Sequence, residues 1–318
     1  MSKKIKVLVC GATGFIGRNT AEHLVKNTDY EVYGTYLHSE PYTYPGITLL
    51  KVDLTDPKEV DKIVTGMDII IQAAATTSGA KDIVNRPYIH VTDNAVMNSL
   101  IFRSAHDHNV KHVVFFSCTV MYPSKDTPLK EADFDSNVEL YPNYFGVGWT
   151  KVYLEKMAEF YSRLGRTKYS VFRHSNIYGP YDKYDLERSH VFGATVTKVM
   201  TAKVGSEIVV WGSGEERRDL LYVSDLMRAV EFALLRQESN FELLNIGLGK
   251  AVSISELIKK IIEASGKNIG LRFDLTKPTL KTSLCLDTAK AKEKIGWFPE
   301  ISLEEGIKKT LLWYKGAK

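Results

Sequence analysis

The sequence predicts an α/β fold, a parallel sheet doubly wound by helices, with a smaller α/β unit after it. Three observations carry that expectation. Apolar strand-like runs alternate with amphipathic helical stretches through the first half, short linkers join them, and a glycine triplet stands between the first strand and the first helix.

Ile5, Val7, Leu8, Val9 and Cys10 make a short apolar strand, after which Gly11, Gly14 and Gly17 turn the chain into a helix. The first glycine allows backbone angles a side chain forbids, the second lets main chain approach a pyrophosphate, and the third lets helix and strand close up. The opening amides of the helix then face an anion. Gly11, Thr13, Gly14, Phe15, Ile16 and Gly17 are therefore the expected dinucleotide cradle. Further strands are expected over 31–36, 48–53, 68–72, 111–117 and 169–173, with helices near 57–64 and 93–108. In such a sheet ligands bind at the carboxyl ends of the strands.

An Asp or Glu at the end of the second strand would hold the adenosine ribose of NAD. Here Glu31 opens that strand, and Tyr36, Leu37 and His38 follow its end. With no carboxylate to repel a ribose phosphate, and with Arg18 and His38 nearby, NADP is favoured over NAD. Asp53 and Leu54 reach the adenine unless they only cap the third strand. Ala73, Ala74 and Ala75 let the cofactor lie close unless they only pack.

The chain has 318 residues, 44% hydrophobic and 25% charged, the profile of a soluble globular protein with one large domain or two coupled ones. A formal charge of +4, with Lys and Arg scattered among Asp and Glu, gives no basic stripe for nucleic acid. The apolar runs fall short of the ~18 residues that span a bilayer. Gly11 and Gly14 interrupt what begins like a signal peptide. A cytoplasmic protein without a membrane partner is expected. Cys10, Cys118 and Cys285 are far apart in strand-like runs, so neither a disulfide framework nor a metal site is expected.

The runs GATGFIG, DLTD, QAAA, SCTVMYP, RHSNIYGPYD, VVWGSGEERRDLLYVSDL and LNIGLG occur in the order that resembles extended short-chain dehydrogenase/reductases acting on nucleotide sugars, the NAD-dependent epimerase/dehydratase family. SCTVMYP, Ser189-His190-Val191 and VVWGSG are most similar to its GDP-L-fucose synthases. The resemblance implies a Rossmann domain over 1–173, to which about 219–250 return, and a nucleotide-sugar domain over 174–318. It also implies a homodimer through helices at 93–108 and 149–164.

Enzymes of this kind place a Tyr and a Lys four residues apart at the start of a helix, with a Ser or Thr just past the fifth strand. The phenol is the acid/base, while the ammonium lowers its pKa and holds the nicotinamide ribose. Lys151 matches the lysine, but the tyrosine position is Val147, which transfers no proton. Tyr144 shares the face of Lys151, yet in continuous helix it stands about 10 Å away along the axis instead of about 6 Å. It serves only if 145–148 form an irregular loop that folds back; otherwise it lines the pocket. The hydroxyl position, four before Tyr122, holds Cys118, and in a regular strand only one of Cys118 and Thr119 faces the cofactor. His190 matches the histidine that fucose synthases use in epimerisation, but Val120 takes the place of its cysteine partner. His174 stands where the family shows proline.

The resemblance further implies that Asn176 and Ile177 meet nicotinamide and sugar, with Tyr122, His190, Val191 and Trp211 on the substrate. Arg218 would clamp the diphosphate with its planar guanidinium, and Lys281 would replace a second basic residue there. Ser224, Ser253 with Glu256, and Ser302 with Glu305 read as helix starts. The implied activity is hydride transfer at C4 of a nucleotide hexose or 4-keto-6-deoxyhexose, a GDP-sugar being favoured. Tyr144, Cys118, Thr119 or His190 would handle the proton. A 4-epimerase with tightly bound NAD, and a binding protein that has lost catalysis, are the alternatives.

Overall fold

The computed structural model of the chain describes residues 3–76, 86–186, 189–276 and 282–317. Its main sheet contains β1 (Ile5–Cys10), β2 (Tyr30–Tyr36), β3 (Ile47–Lys51), β4 (Ile69–Gln72), β5 (His112–Phe116), β6 (Lys168–His174) and a later strand, Phe241–Ile246. The strand order runs Phe241–Ile246, β6, β5, β4, β1, β2, β3, and every pairing is parallel. All residues of β4 and β5 are buried, as expected where helices cover both faces of a parallel sheet.

Alternation along the strands feeds two cores. Val7, Val9, Ile71, Phe116 and Phe172 pack beneath α1 (Phe15–Leu24) and the later helix Val223–Arg236. Leu8, Ile70, Val113 and Phe115 pack beneath α2 (Pro57–Val64), α3 (Thr92–Asp107) and α4 (Phe145–Arg163). Asp56 starts α2: its Oδ1 accepts from the amides of Lys58 at 2.7 Å and Glu59 at 3.3 Å.

The remaining chain contains β7 (Asn176–Tyr178), α5 (Val191–Thr201), β8 (Glu207–Trp211), β9 (Arg217–Tyr222), α6 (Val223–Arg236), β10 (Phe241–Ile246), β11 (Ala251–Ser253), α7 (Ile254–Ser265), β12 (Gly270–Asp274), α8 (Ala289–Ile295) and α9 (Leu303–Gly316); of these, α6, β10 and α8 pack with the main sheet and the others build the smaller unit. β10 returns to the main sheet beside β6, whereas β11, β9 and β7 form a three-stranded sheet and β12 pairs with β8. Tyr178, Phe192, Leu220, Leu257 and Ile307 share a third core. Ser253 and Glu256 make the expected capping box, and Ser302 accepts from the Glu305 amide at 3.2 Å. Ser224 does not cap. α6 already begins at Val223, and its buried Leu226, Met227, Val230 and Ala233 account for the helix. No helix among the described residues is long and apolar enough to cross a membrane.

A buried ion pair joins β6 to α4. Arg173 Nη2 lies 2.6 Å from Glu155 Oε2, with the two side chains 3% and 4% exposed. Arg173 Nη1 also donates to the Tyr122 hydroxyl at 3.1 Å and the Glu131 carbonyl at 3.2 Å, while Ser117 Oγ donates to Glu155 Oε1 at 2.6 Å. Removing one member strands a buried charge, which costs about 3–5 kcal/mol, whereas removing a neutral hydrogen-bond partner costs about 1–3 kcal/mol. In urea unfolding, Glu155→Ala should therefore lower stability clearly more than Ser117→Ala does; equal effects would contradict the charge burial described.

Candidate active site

The glycine turn is dictated by space. Gly11 has φ +72° and a Cβ there would sit 2.7 Å from Ala74 Cα, while a Cβ on Gly17 would sit 2.1 Å from the Gly11 carbonyl oxygen. Gly14 precedes α1 without a capping side chain, and helix geometry leaves the first-turn amides around Phe15 and Ile16 without intrahelical acceptors. Backbone, positive helix end and close-lying Ala74 together fit a pyrophosphate.

The loop after β4 is fixed by a polar chain absent from the sequence reading. Gln72 Nε2 donates to Asn98 Oδ1 at 2.9 Å, Asn98 Nδ2 to the Asn94 carbonyl at 2.7 Å, and Asn94 Nδ2 to the Thr76 carbonyl at 2.9 Å. This network holds Ala73, Ala74 and Ala75 over the cradle. A glutamine ending an otherwise apolar strand, IIIQ, was the available signal.

Arg18 is held within the protein. Its Nε binds Glu22 at 2.8 Å, and its guanidinium is sandwiched between the rings of Tyr42, 4.1 Å away, and Tyr181, 3.9 Å away. Those contacts fix the direction of the guanidinium. His38 is exposed past β2. Asp53 lies beyond β3 and accepts from the amide and hydroxyl of Thr55 at 2.9 and 2.7 Å; these bonds hold its carboxyl below the usual range. Leu54 is buried.

The centre of the cleft is the end of β5. Lys151 Nζ donates to the Phe116 carbonyl at 2.9 Å and lies 4.8 Å from the Phe115 ring centroid. Burial lowers its pKa, which Cys118 and Glu155 oppose. Because β5 stops at Phe116, Cys118 and Thr119 fall in a turn, where Tyr122 N donates to the Thr119 carbonyl at 3.1 Å. Strand alternation therefore does not separate them. Cys118 is partly exposed and packs beside Met121, Leu140 and Val152.

The fold-back loop that Tyr144 would need is not formed. α4 runs without a break from Phe145, so Val147 stands one turn ahead of Lys151 and Tyr144 precedes the helix in the turn Pro142–Tyr144. Gly146 and Gly148 serve close packing: a Cβ would lie 2.9 Å from Val91 Cγ2 at the first and 2.6 Å from Leu140 Cδ1 at the second. Burial raises the Tyr144 phenol, and Arg218 opposes that rise.

His174 ends β6 with Nδ1 donating to the Ser175 carbonyl at 2.8 Å. Burial pushes its pKa down to about 4, so it is neutral at pH 7 with Nε2 as acceptor. His190 precedes α5 at the rim, where the protein around it and then the Lys183 charge hold it below the ordinary value. Val191 opens α5, and Trp211 ends β8, 58% exposed.

Asn176 and Ile177 lie on β7, and Asn176 Nδ2 donates to the Asp219 carbonyl at 3.3 Å. On β9, Arg218 Nη1 donates to the carbonyls of Arg217 at 2.8 Å and Thr282 at 2.6 Å, and burial lowers its pKa while Tyr144 opposes. Next to it, buried Asp219 accepts from the amides of Leu248, Gly249 and Leu286 at 2.8, 3.0 and 3.1 Å. Tyr122 is 8% exposed, and its hydroxyl donates to Asn245 Oδ1 at 2.7 Å and accepts from Arg173. Lys281 lies outside the described residues. The described residues contain no His, Cys, Asp and Glu group suited to a metal.

Residues 7–247 match the family described as the NAD dependent epimerase/dehydratase family. A putative GDP-L-fucose synthase 2 of Arabidopsis thaliana is 30% identical over 99% of this chain and 93% of its own. A dTDP-4-dehydro-6-deoxy-D-allose reductase of a Streptomyces species is 28% identical over 97% of this chain and 96% of its own. Among solved structures, a UDP-glucose 4-epimerase with UDP-glucose from Thermotoga maritima superposes with a TM-score of 0.87 at 26% identity, covering 98% of this chain and 99% of that one.

The cradle can be tested by filling it. Gly17→Ala should weaken binding of a nicotinamide dinucleotide, followed by fluorescence titration, by about tenfold or more while far-UV circular dichroism stays unchanged. Unchanged binding would place the pyrophosphate elsewhere.

Proposed function

Since the chain belongs to the NAD dependent epimerase/dehydratase family and is an NAD(P)-dependent nucleotide-sugar enzyme, we propose that it reduces the C4 ketone of a GDP-linked 4-keto-6-deoxyhexose. The bound nicotinamide supplies the hydride. The observation that carries this reading is the anchoring of Lys151 at the end of β5 together with Tyr144, which lies within electrostatic reach of both Cys118 and Arg218. Lys151 orients the ribose beside the reacting carbon, and Arg218 holds the diphosphate. Relatives matched along more than nine-tenths of their length carry the names GDP-L-fucose synthase, which supports the nucleotide, and dTDP-4-dehydro-6-deoxy-D-allose reductase, which supports the carbon. Val120 at the position of the epimerising cysteine argues for reduction without epimerisation at neighbouring carbons.

The full-length likeness to a UDP-glucose 4-epimerase favours the second reading, inversion at C4 through a transient ketone. Mixing the protein with NADPH or NADH and a panel of GDP-, UDP-, dTDP- and CDP-linked hexoses and 4-keto hexoses separates the two. Reduction predicts loss of nicotinamide absorbance with a keto sugar, absent in Lys151→Ala. Constant absorbance together with a C4-inverted sugar would replace the reductase by the epimerase.

We further assign the outer face of α3 and α4, where Val96, Tyr153, Phe160 and Leu164 are exposed, to a homodimer interface. Sedimentation should give twice the monomer mass, and Phe160→Asp should return the monomer; a monomeric wild-type protein would refute the assignment.

A further inference from the structure

α4 carries no phenol where the family's tyrosine stands, yet the lysine that would serve it is in place, which leaves the proton for the C4 oxygen without its usual donor. We propose that the Cys118 thiol is that donor and that Lys151 is its charge partner, a thiol–lysine pair in place of the tyrosine–lysine pair; this rests on the reductase reading above.

The geometry is that of the β5 end. The ammonium is pinned at the Phe116 carbonyl, 2.9 Å away, and Cys118 follows two residues later, a chain length of no more than about 7 Å. The groups that face the thiol are Lys151 and Glu155 from α4, Arg173 from β6, Tyr144 from the turn ahead of α4, and the Val120 amide. Glu155 and Arg173 neutralise one another as a buried pair. His174 ends β6 with its ring centroid 6.1 Å from that of Phe116, and it is neutral. Lys151 is thus the uncompensated charge among these groups. Burial raises the thiol above its ordinary pKa, so at neutral pH it holds the proton it must give.

In the reaction, hydride from the reduced nicotinamide forms the C4–H bond. The C4 oxygen takes the proton of Cys118 as the S–H bond breaks and the O–H bond forms. The thiolate left behind sits beside the Lys151 ammonium until solvent reprotonates it through the open side of the cleft. One hydride and one solvent proton are consumed per ketone.

The test has two readouts. Cys10 and Cys285 are buried, so iodoacetamide should alkylate Cys118 first, as peptide mass mapping will show. In Lys151→Met the pH midpoint of that alkylation should rise by about one unit, because the opposite charge that favours the thiolate is gone. An unchanged midpoint overturns the pairing. With keto sugar and NADPH, Cys118→Ser should lower kcat by about 100-fold with little change in KM, and adding Val147→Tyr should recover about tenfold or more by restoring a phenol. A wild-type rate in Cys118→Ser overturns the proposal. If wild-type protein reduces no keto sugar while the alkylation midpoint still shifts, the substrate reading falls and the thiol–lysine pair stands.

Discussion

The ion pair between Arg173 and Glu155 is the constraint on which the rest of the cleft depends. It is sealed from water, and its spare donors and acceptors are met by Ser117, Tyr122 and the Glu131 carbonyl. Buried charge of this kind adds little net stability relative to an apolar core, but it tolerates few geometries. Through it β6, the end of β5 and the middle of α4 are held in one arrangement. Lys151 lies one helical turn before Glu155, and Cys118 is the residue after Ser117, so the pair sets the reactive end of the cleft from behind.

Binding and chemistry diverge in this chain. The cradle keeps the glycines that backbone contact demands, the loop after β4 is clamped by Gln72, Asn98 and Asn94, and Arg218 waits on the opposite side. The resemblance places the changes at the proton-handling positions, with Cys118 where it implies a hydroxyl and Val147 where it implies a phenol, and His174 near Lys151 is neutral. Proton transfer depends on a donor of suitable acidity near the oxygen, not on one residue type, so such an exchange is chemically open as long as a cation stabilises the anion formed.

The α/β order was legible because buried parallel strands read as continuous apolar runs, and the tight turn because three glycines stand between a strand and a helix, where a Cβ at Gly17 has no room. The sequence did not show what distant partners decide. Gly146 and Gly148 suggest a broken helix when read alone, and only the approach of Val91 and Leu140 shows them as packing sites. Arg18 reads as a solitary charge in the sequence, and only the fold shows Glu22, Tyr42 and Tyr181 around it. Tyr122 aligns with a cleft residue but turns its hydroxyl inward to Asn245. The buried pair of Arg173 and Glu155 was not read from the sequence, because its members stand 18 positions apart on different elements.

The most direct measurement of the central claim follows the hydride itself. The protein would be incubated with a GDP-linked 4-keto-6-deoxyhexose and NADPH carrying deuterium at nicotinamide C4 on either face, and the product sugar examined by proton NMR. Reduction in this cleft predicts deuterium at sugar C4 from one of the two labelled cofactors. A turned-over sugar without deuterium from either would contradict it.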